Sequence, residues 1–263
     1  MSHILTVRFH TPDAGRRMLS THGSRICFGN LTQMQDSYPN DPLGSRAKRR
    51  RLEWRIMKAG NKLSRGFYTQ EDTLGIARNL LGKLLVVPAD DGSRVSGMIV
   101  ETEAYMGVVD KGAHSYGGRR TARNEITYAE GGHVYVFFVY GMYYQLNVVT
   151  GPAEHPHVVL IRGLEPVEGV EKMRERRGRE MKDQNLTSGP GKLCIAMNID
   201  RRLNGEYLLE DRIWIEEHRS FHDGAIASGT RIGIDYAEEY AEMPWRFWVE
   251  GNKYVSKVPR SRT

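Results

Sequence analysis

Cysteine is nearly absent. Cys27 and Cys194 are the two in 263 residues, too few for a disulfide framework, a cysteine-type zinc site or a four-cysteine iron–sulfur cluster. That scarcity fits a reducing, intracellular compartment, cytoplasmic or, in a eukaryotic cell, nuclear. No run approaches the ~18 apolar residues that a membrane span needs. The opening MSHILTVRFH lacks the long apolar centre of a secretory signal, and no internal repeat or low-complexity tract is present. The nine histidines show no metal-ligand spacing.

What is there is ordinary in bulk and uneven in detail. Hydrophobic residues make up 40% and charged residues 27%, the balance of a globular protein. The net charge of +6 suits a polyanionic partner without requiring one. Residues 1–64 carry no sustained hydrophobic period, several turn-forming pairs and the basic block SRAKRRRLEWR. They are expected to be a basic, poorly ordered extension, with a nuclear address or a DNA-contacting arm as alternatives and Met57 as a possible true start.

From residue 65 onward the signals sharpen into one domain. TQEDTLGIARNLLG reads as a helix with Thr69 as N-cap and Gly82 as C-cap. LLVVP and SGMIVETEAY read as strands joined by the turn Asp90-Asp91-Gly92. VVLIRGL, IWIEE, TRIGI and PWRFWVEG read as further strands, VEGVEKMRERRG as an exposed basic helix, and SGPGKLCIAMNID as a tight turn entering a short helix. The expected fold class is α+β: a mostly antiparallel, curved sheet with flanking helices.

Two stretches invite chemistry. In HVYVFFVYGMYYQLNVV six aromatic residues fall between Tyr135 and Tyr144, around a glycine turn, in a chain that is 9% aromatic. A buried hairpin or a stacking platform for a nucleic-acid base both explain it. In VETEAY, strand alternation puts Glu101, Glu103 and Tyr105 on one face. Two solvated carboxylates are the ordinary explanation. A single carboxylate beside an aromatic ring, activating a water against a flat substrate, is the functional one. Paired carboxylates of a sugar hydrolase fit poorly, because neighbours on one strand face do not flank a bond from opposite sides. His114 follows in DKGAHSYGGRRTARN, a glycine-rich basic loop whose amides and guanidinium groups can meet phosphates. GPGK lacks the spaced glycine and Lys-Ser/Thr ending of a nucleotide loop, yet Lys192 near a helix start can hold one phosphate.

Taken together, IVETEAYMG, AHSYGGRRTARN, VYVFFVYGMYYQLN, LIRGLEPVEG, SGPGKLCIAM and RIGI resemble the alkyladenine (3-methyladenine) DNA glycosylase family, in that family's order, over about residues 66–256. The resemblance implies a hairpin that enters the minor groove of damaged double-stranded DNA. Its tip Tyr140 fills the gap left by a flipped nucleotide, with Met142 and Tyr143 pressing on its neighbours. It implies Tyr105 and Phe137 on the two faces of the flipped base; a well-studied mammalian member has tyrosine at the Phe137 position. It implies His114 on the purine edge and Asn147 crowding the 2-amino group of guanine. Glu103, not Glu101, is the implied general base, with Arg162 and the Ile232 carbonyl holding the water. Arg119, Arg123 and Lys192 are the candidate phosphate contacts. No lysine matches a nucleophile, so the implied enzyme is a monofunctional, monomeric glycosylase of base-excision repair acting on alkylated purines, with no metal or organic cofactor. A non-catalytic lesion-binding protein and an RNA-binding protein using the same aromatics are the rival expectations.

Overall fold

The computed structural model describes residues 62–139 and 141–256. Residues 1–61 of the expected basic extension and the hairpin-tip Tyr140 lie outside the described residues, whereas Leu63, placed in that extension, is buried in the core.

The fold is α+β, as expected. Two short helices, α1 (Arg65–Tyr68) and α2 (Thr73–Asn79), precede β1 (Leu84–Pro88) and the long β2 (Arg94–Tyr105). The N-cap of α2 is Asp72, whose carboxylate accepts from the Gly75 amide at 2.8 Å. Thr69 instead closes α1, so the expected cap was three residues early. A carboxylate at the dipole's positive end explains why the later residue wins. The hairpin β3 (Val134–Val139) and β4 (Tyr143–Thr150) follows, then β5 (His157–Glu168), α3 (Val170–Arg177) and α4 (Pro190–Met197). Three short strands follow: β6 (Trp214–Glu216), β7 (Ile226–Gly229) and β8 (Arg246–Val249). TRIGI is not a strand. It is a bend between β7 and a run of 3-10 turns, and Gly233, at φ 77°, supplies the positive dihedral that bend uses.

All strand pairs are antiparallel, in the order β3-β4-β5-β2-β1-β6, with β7 and β8 joined through β2. β2 is the spine. One edge of it pairs with β5 along most of its length; its other edge pairs first with β1 and then, from Glu101 to Glu103, with β8. Hence its carboxylates are flanked on both edges, and residues 95–104 are all buried. The β2–β5 register slips on either side of Glu101, leaving Val100 and Arg162 without direct cross-strand partners. Such bulges re-aim side chains, and here Arg162 is turned onto the carboxylates of β2.

The core lies between the sheet and α2, α3 and α4. Ile99, Ile161, Leu164, Trp214, Leu146, Leu193 and Met173 are fully enclosed, each such apolar side chain contributing roughly 1.5–3 kcal/mol of burial. Met173 makes α3 less exposed than its charged sequence suggests. The base of the hairpin is buried, whereas Phe138, Met142 and Tyr143 near its far end are exposed. Gly141, at φ 67°, supplies a left-handed turn residue between β3 and β4.

Candidate active site

Glu101 and Glu103 both have 0% exposure, so solvated carboxylates are excluded for this pair. Their partners separate them. Glu101 accepts from Arg246 Nε at 2.7 Å, Arg162 Nε at 3.2 Å, Ser256 Oγ at 2.7 Å and the Ser256 amide at 2.6 Å. Four donors fill a carboxylate's acceptor capacity, and Glu101 acts as an anchor for β8 and the segment after it. Glu103 accepts from the Ile232 amide at 2.8 Å on one oxygen, and from Tyr105 OH at 3.0 Å and Arg162 Nη1 at 3.2 Å on the other. One acceptor position is left.

Burial pushes the Glu103 carboxyl above its usual range. The Arg162 charge, the Ile232 amide and the Tyr105 hydroxyl work against that rise, and the Glu101 charge adds to it. A raised carboxyl holds a proton more firmly, which suits proton acceptance near neutral pH. Burial acts to lower Arg162, but Glu103 and Glu101 outweigh it and its pKa is raised, so it stays a cation between two carboxylates. Burial, with the Glu103 charge next, raises the Tyr105 phenol well above its ordinary value, so it remains a donor.

A cavity of ≈ 170 Å³ opens beside this trio. Tyr105, His114, Phe137, Asn147, Arg162 and Ile232 all line it, so residues from β2, β3, β4, β5 and two loops converge on one space. Glu103 sits behind the wall that Tyr105, Arg162 and Ile232 form. A 150 Å³ cavity admits benzene, so this open one has room for a flat ring. Tyr135 orders the aromatic side. Its hydroxyl lies 2.9 Å from His114 Nδ1, its ring 5.0 Å from Phe137, and its carbonyl accepts from Asn147 Nδ2 at 3.2 Å. The His114 ring meets Phe137 edge-on at 4.6 Å. Crowding by these groups, then the Arg123 and Arg119 charges, lower the His114 pKa to about 4, leaving a neutral imidazole with one donor and one acceptor.

A family model, methylpurine-DNA glycosylase, matches residues 66–253. The chain belongs to the methylpurine-DNA glycosylase family. It is therefore a DNA glycosylase, a hydrolase acting on N-glycosyl bonds. Among its relatives are provisionally named 3-methyladenine DNA glycosylases of three bacteria. That of Clostridium acetobutylicum is 50% identical over 206 residues, covering 76% of this chain and 99% of the relative. That of Desulfitobacterium hafniense is 49% identical over 202 residues, covering 74% and 98%. That of Clostridium novyi is 46% identical over 203 residues, covering 74% and 98%. The matched region holds every candidate site residue.

The expected DNA contacts of this glycosylase lie around the hairpin. Met142 is 66% exposed. Tyr143 packs on the start of α4, where a Cβ added at Gly191 would come within 2.9 Å of its ring. Arg119 and Arg123 are exposed, and Arg123 Nη2 donates to the Phe138 carbonyl at 3.1 Å. Lys192 is in the first turn of α4. Asn124 ties the basic loop, accepting from the Thr121 amide and donating to the His114 and Arg119 carbonyls. The Ile232 amide donates to Glu103.

Two site-building residues escape a reading of the sequence. Arg231 and Asp110 form a fully buried pair at 2.5 and 2.8 Å. The Arg231 guanidinium lies 4.6 Å from the Tyr105 ring and 4.9 Å from that of Trp245, and donates to the Ala104 carbonyl. Asp110 also accepts from the Met106 and Gly112 amides. The pair thus links the Tyr105 strand, the loop leading to His114 and the Ile232 bend. Separated by 121 positions, its partners leave no local signal. Among the described residues no group of side chains fits a metal, and no helix is long and apolar enough to cross a membrane.

Proposed function

We propose that this glycosylase excises alkylated purines of the 3-methyladenine class from duplex DNA by base flipping and Glu103-directed hydrolysis. The observation that carries the reading is the placement of a raised, buried carboxyl directly behind the cavity wall, with one acceptor position free. The flipped base enters the cavity, with Tyr105 and Phe137 toward its faces and His114 toward its edge. Asn147 stands where a guanine 2-amino group would intrude and leave a polar group poorly paired. Flipping costs a few kcal/mol, least for a badly paired damaged base. Stacking on an aromatic ring returns about 1–3 kcal/mol.

Glu103 then accepts a proton from a water held beside Arg162, and the water oxygen bonds to C1′ of the sugar. The C1′–N bond breaks, and its electron pair leaves with the base. An alkylated purine is cationic in the nucleotide and departs neutral, so it needs no general acid. As the bond breaks, positive charge moves to the sugar, where Glu103 stabilises it as a carboxylate until the water's proton passes to it. Lacking a matched lysine nucleophile, the enzyme is monofunctional and leaves an abasic site. The domain spanning residues 65–263 carries the reaction as a monomer.

The test is single-turnover base release from a 3-methyladenine duplex. Glu103→Gln is expected to lose about 10²–10⁴-fold in rate, the range of general-base catalysis, while binding the duplex as before. Wild-type binding without base release would instead identify a lesion-binding protein.

A further inference from the structure

The hairpin has a second face, away from the active cavity. Strand alternation turns Tyr135, Phe137 and Val139 toward that cavity. Val136 and Phe138 point the other way, with Tyr144 opposite Phe138 in register. An open groove of ≈ 580 Å³ lies there, lined by Arg123, Val136, Phe138, Tyr144, Arg201 and Asn204, with Phe137 shared between it and the cavity. Phe138 is 48% exposed, and its ring sits 5.0 Å from Tyr144 at 49°. An aromatic side chain left in water at a hairpin's working end is a cost unless something covers it.

The charges around it point to what that is. Arg94, Arg120, Arg162, Arg231 and Arg246 all pair with carboxylates. Arg123 and Arg201 form no such ion pair among the described residues, and no carboxylate lines the groove. Arg123 donates to the Phe138 carbonyl, lies over the Phe137 ring face and reaches the Tyr135 side chain. Nearby Asp200 is hydrogen-bonded by Arg202, and the Arg201 charge acts on it more weakly. An exposed ring beside two guanidinium groups that form no salt bridge among the described residues is complementary to a nucleotide: a base to stack and a phosphate to neutralise.

We infer that the Phe138 groove is a second nucleotide site, which receives the unpaired nucleotide of the strand opposite the lesion. A β-ribbon is one residue thick, so its two faces look toward different strands. With the lesion drawn into the cavity on the Phe137 side, the partner that lost its pair is presented to the Phe138 side. Its base stacks on Phe138, and Arg123 and Arg201 hold its backbone. This rests on the base-flipping reading above, which it extends to the undamaged strand.

The experiment compares wild type and Phe138→Ala on two lesion duplexes, one with a normal base opposite the lesion and one abasic at that position. The wild type is expected to bind the first about tenfold more tightly, the scale of one stacked base. Phe138→Ala should lose that preference and match the wild type on the abasic duplex. Phe138 is exposed, so the variant should fold, and an unchanged melting temperature checks this. Arg201→Ala is expected to lower the salt dependence of binding by about one phosphate contact. Equal weakening of Phe138→Ala on both duplexes, or no weakening, overturns the second site. Base release by the wild type reports separately: its presence with an unchanged Phe138 preference fails this inference alone, and its absence fails the flipping reading and the inference with it.

Discussion

At the residue scale, Glu101 and Glu103 show how neighbours assign roles to identical side chains. Four donors saturate Glu101, whereas Glu103 keeps a free position beside a cavity-lining arginine. The buried Arg231–Asp110 pair makes a sharper prediction. Arg231→Met leaves the Asp110 charge enclosed and unpaired, which costs roughly 3–5 kcal/mol. Urea unfolding should register that loss, and the Tyr105 ring loses its backing. His114 makes a prediction with pH. Its folded pKa, about 4, is below the ordinary 6.5. Between those values the unfolded chain takes up a proton that the folded chain refuses, so this group's contribution to stability falls as acid is added. Because the ring is accessible at the cavity mouth, solvent screening keeps the effect small. An NMR titration of His114 should show a midpoint well under 6.5, and His114→Gln should lose less stability than wild type between pH 7 and 5.

At the element scale, the β2–β5 pairing is the device that builds the site. Its register slips turn Arg162 onto both glutamates, and Gly163 makes the close approach possible. A Cβ at Gly163 would lie 2.8 Å from the Tyr254 carbonyl and 3.2 Å from Glu101 Cβ. Gly163→Ala must displace one of these and is expected to destabilise the fold by roughly 1–3 kcal/mol, with base release falling as Arg162 shifts. Thermal melting alongside single-turnover rates checks both. The hairpin works as an element in a different sense, because its alternation gives one ribbon two aromatic faces, one on the cavity and one on the groove, that meet at Phe137.

At the scale of the whole molecule, charge sets how the protein meets its substrate. The surplus of +6 is not spread evenly. Among the described residues most arginines are neutralised by carboxylates, while Arg119, Arg123 and Arg201, on loops flanking the hairpin, form no such ion pair. Under the proposed reading, replacing Arg119, Arg123 and Lys192 together should weaken DNA binding and flatten its salt dependence by about one unit for each lost phosphate contact. A salt titration of affinity in which variant and wild type run parallel would remove these residues from the interface.

Much of the fold is legible in the sequence. Apolar periodicity and turn residues located most strands and both longer helices, because burial and backbone geometry act locally. Long motifs in register pointed to the family. TRIGI failed as a strand because its apolar alternation serves a bend packed against Glu103 rather than a sheet edge. The Asp72 cap was missed because capping depends on which carboxylate reaches the free amides. Sequence alone determined which kinds of side chain were available and that Glu103, Tyr105 and His114 belonged together by resemblance. Only the tertiary structure decided that Glu101 is saturated, that Arg231 backs Tyr105, and that Phe138 faces an open basic groove. Those outcomes depend on pairings across 15 to 155 positions, where contact is set by sheet register and bulges and no local pattern carries the information.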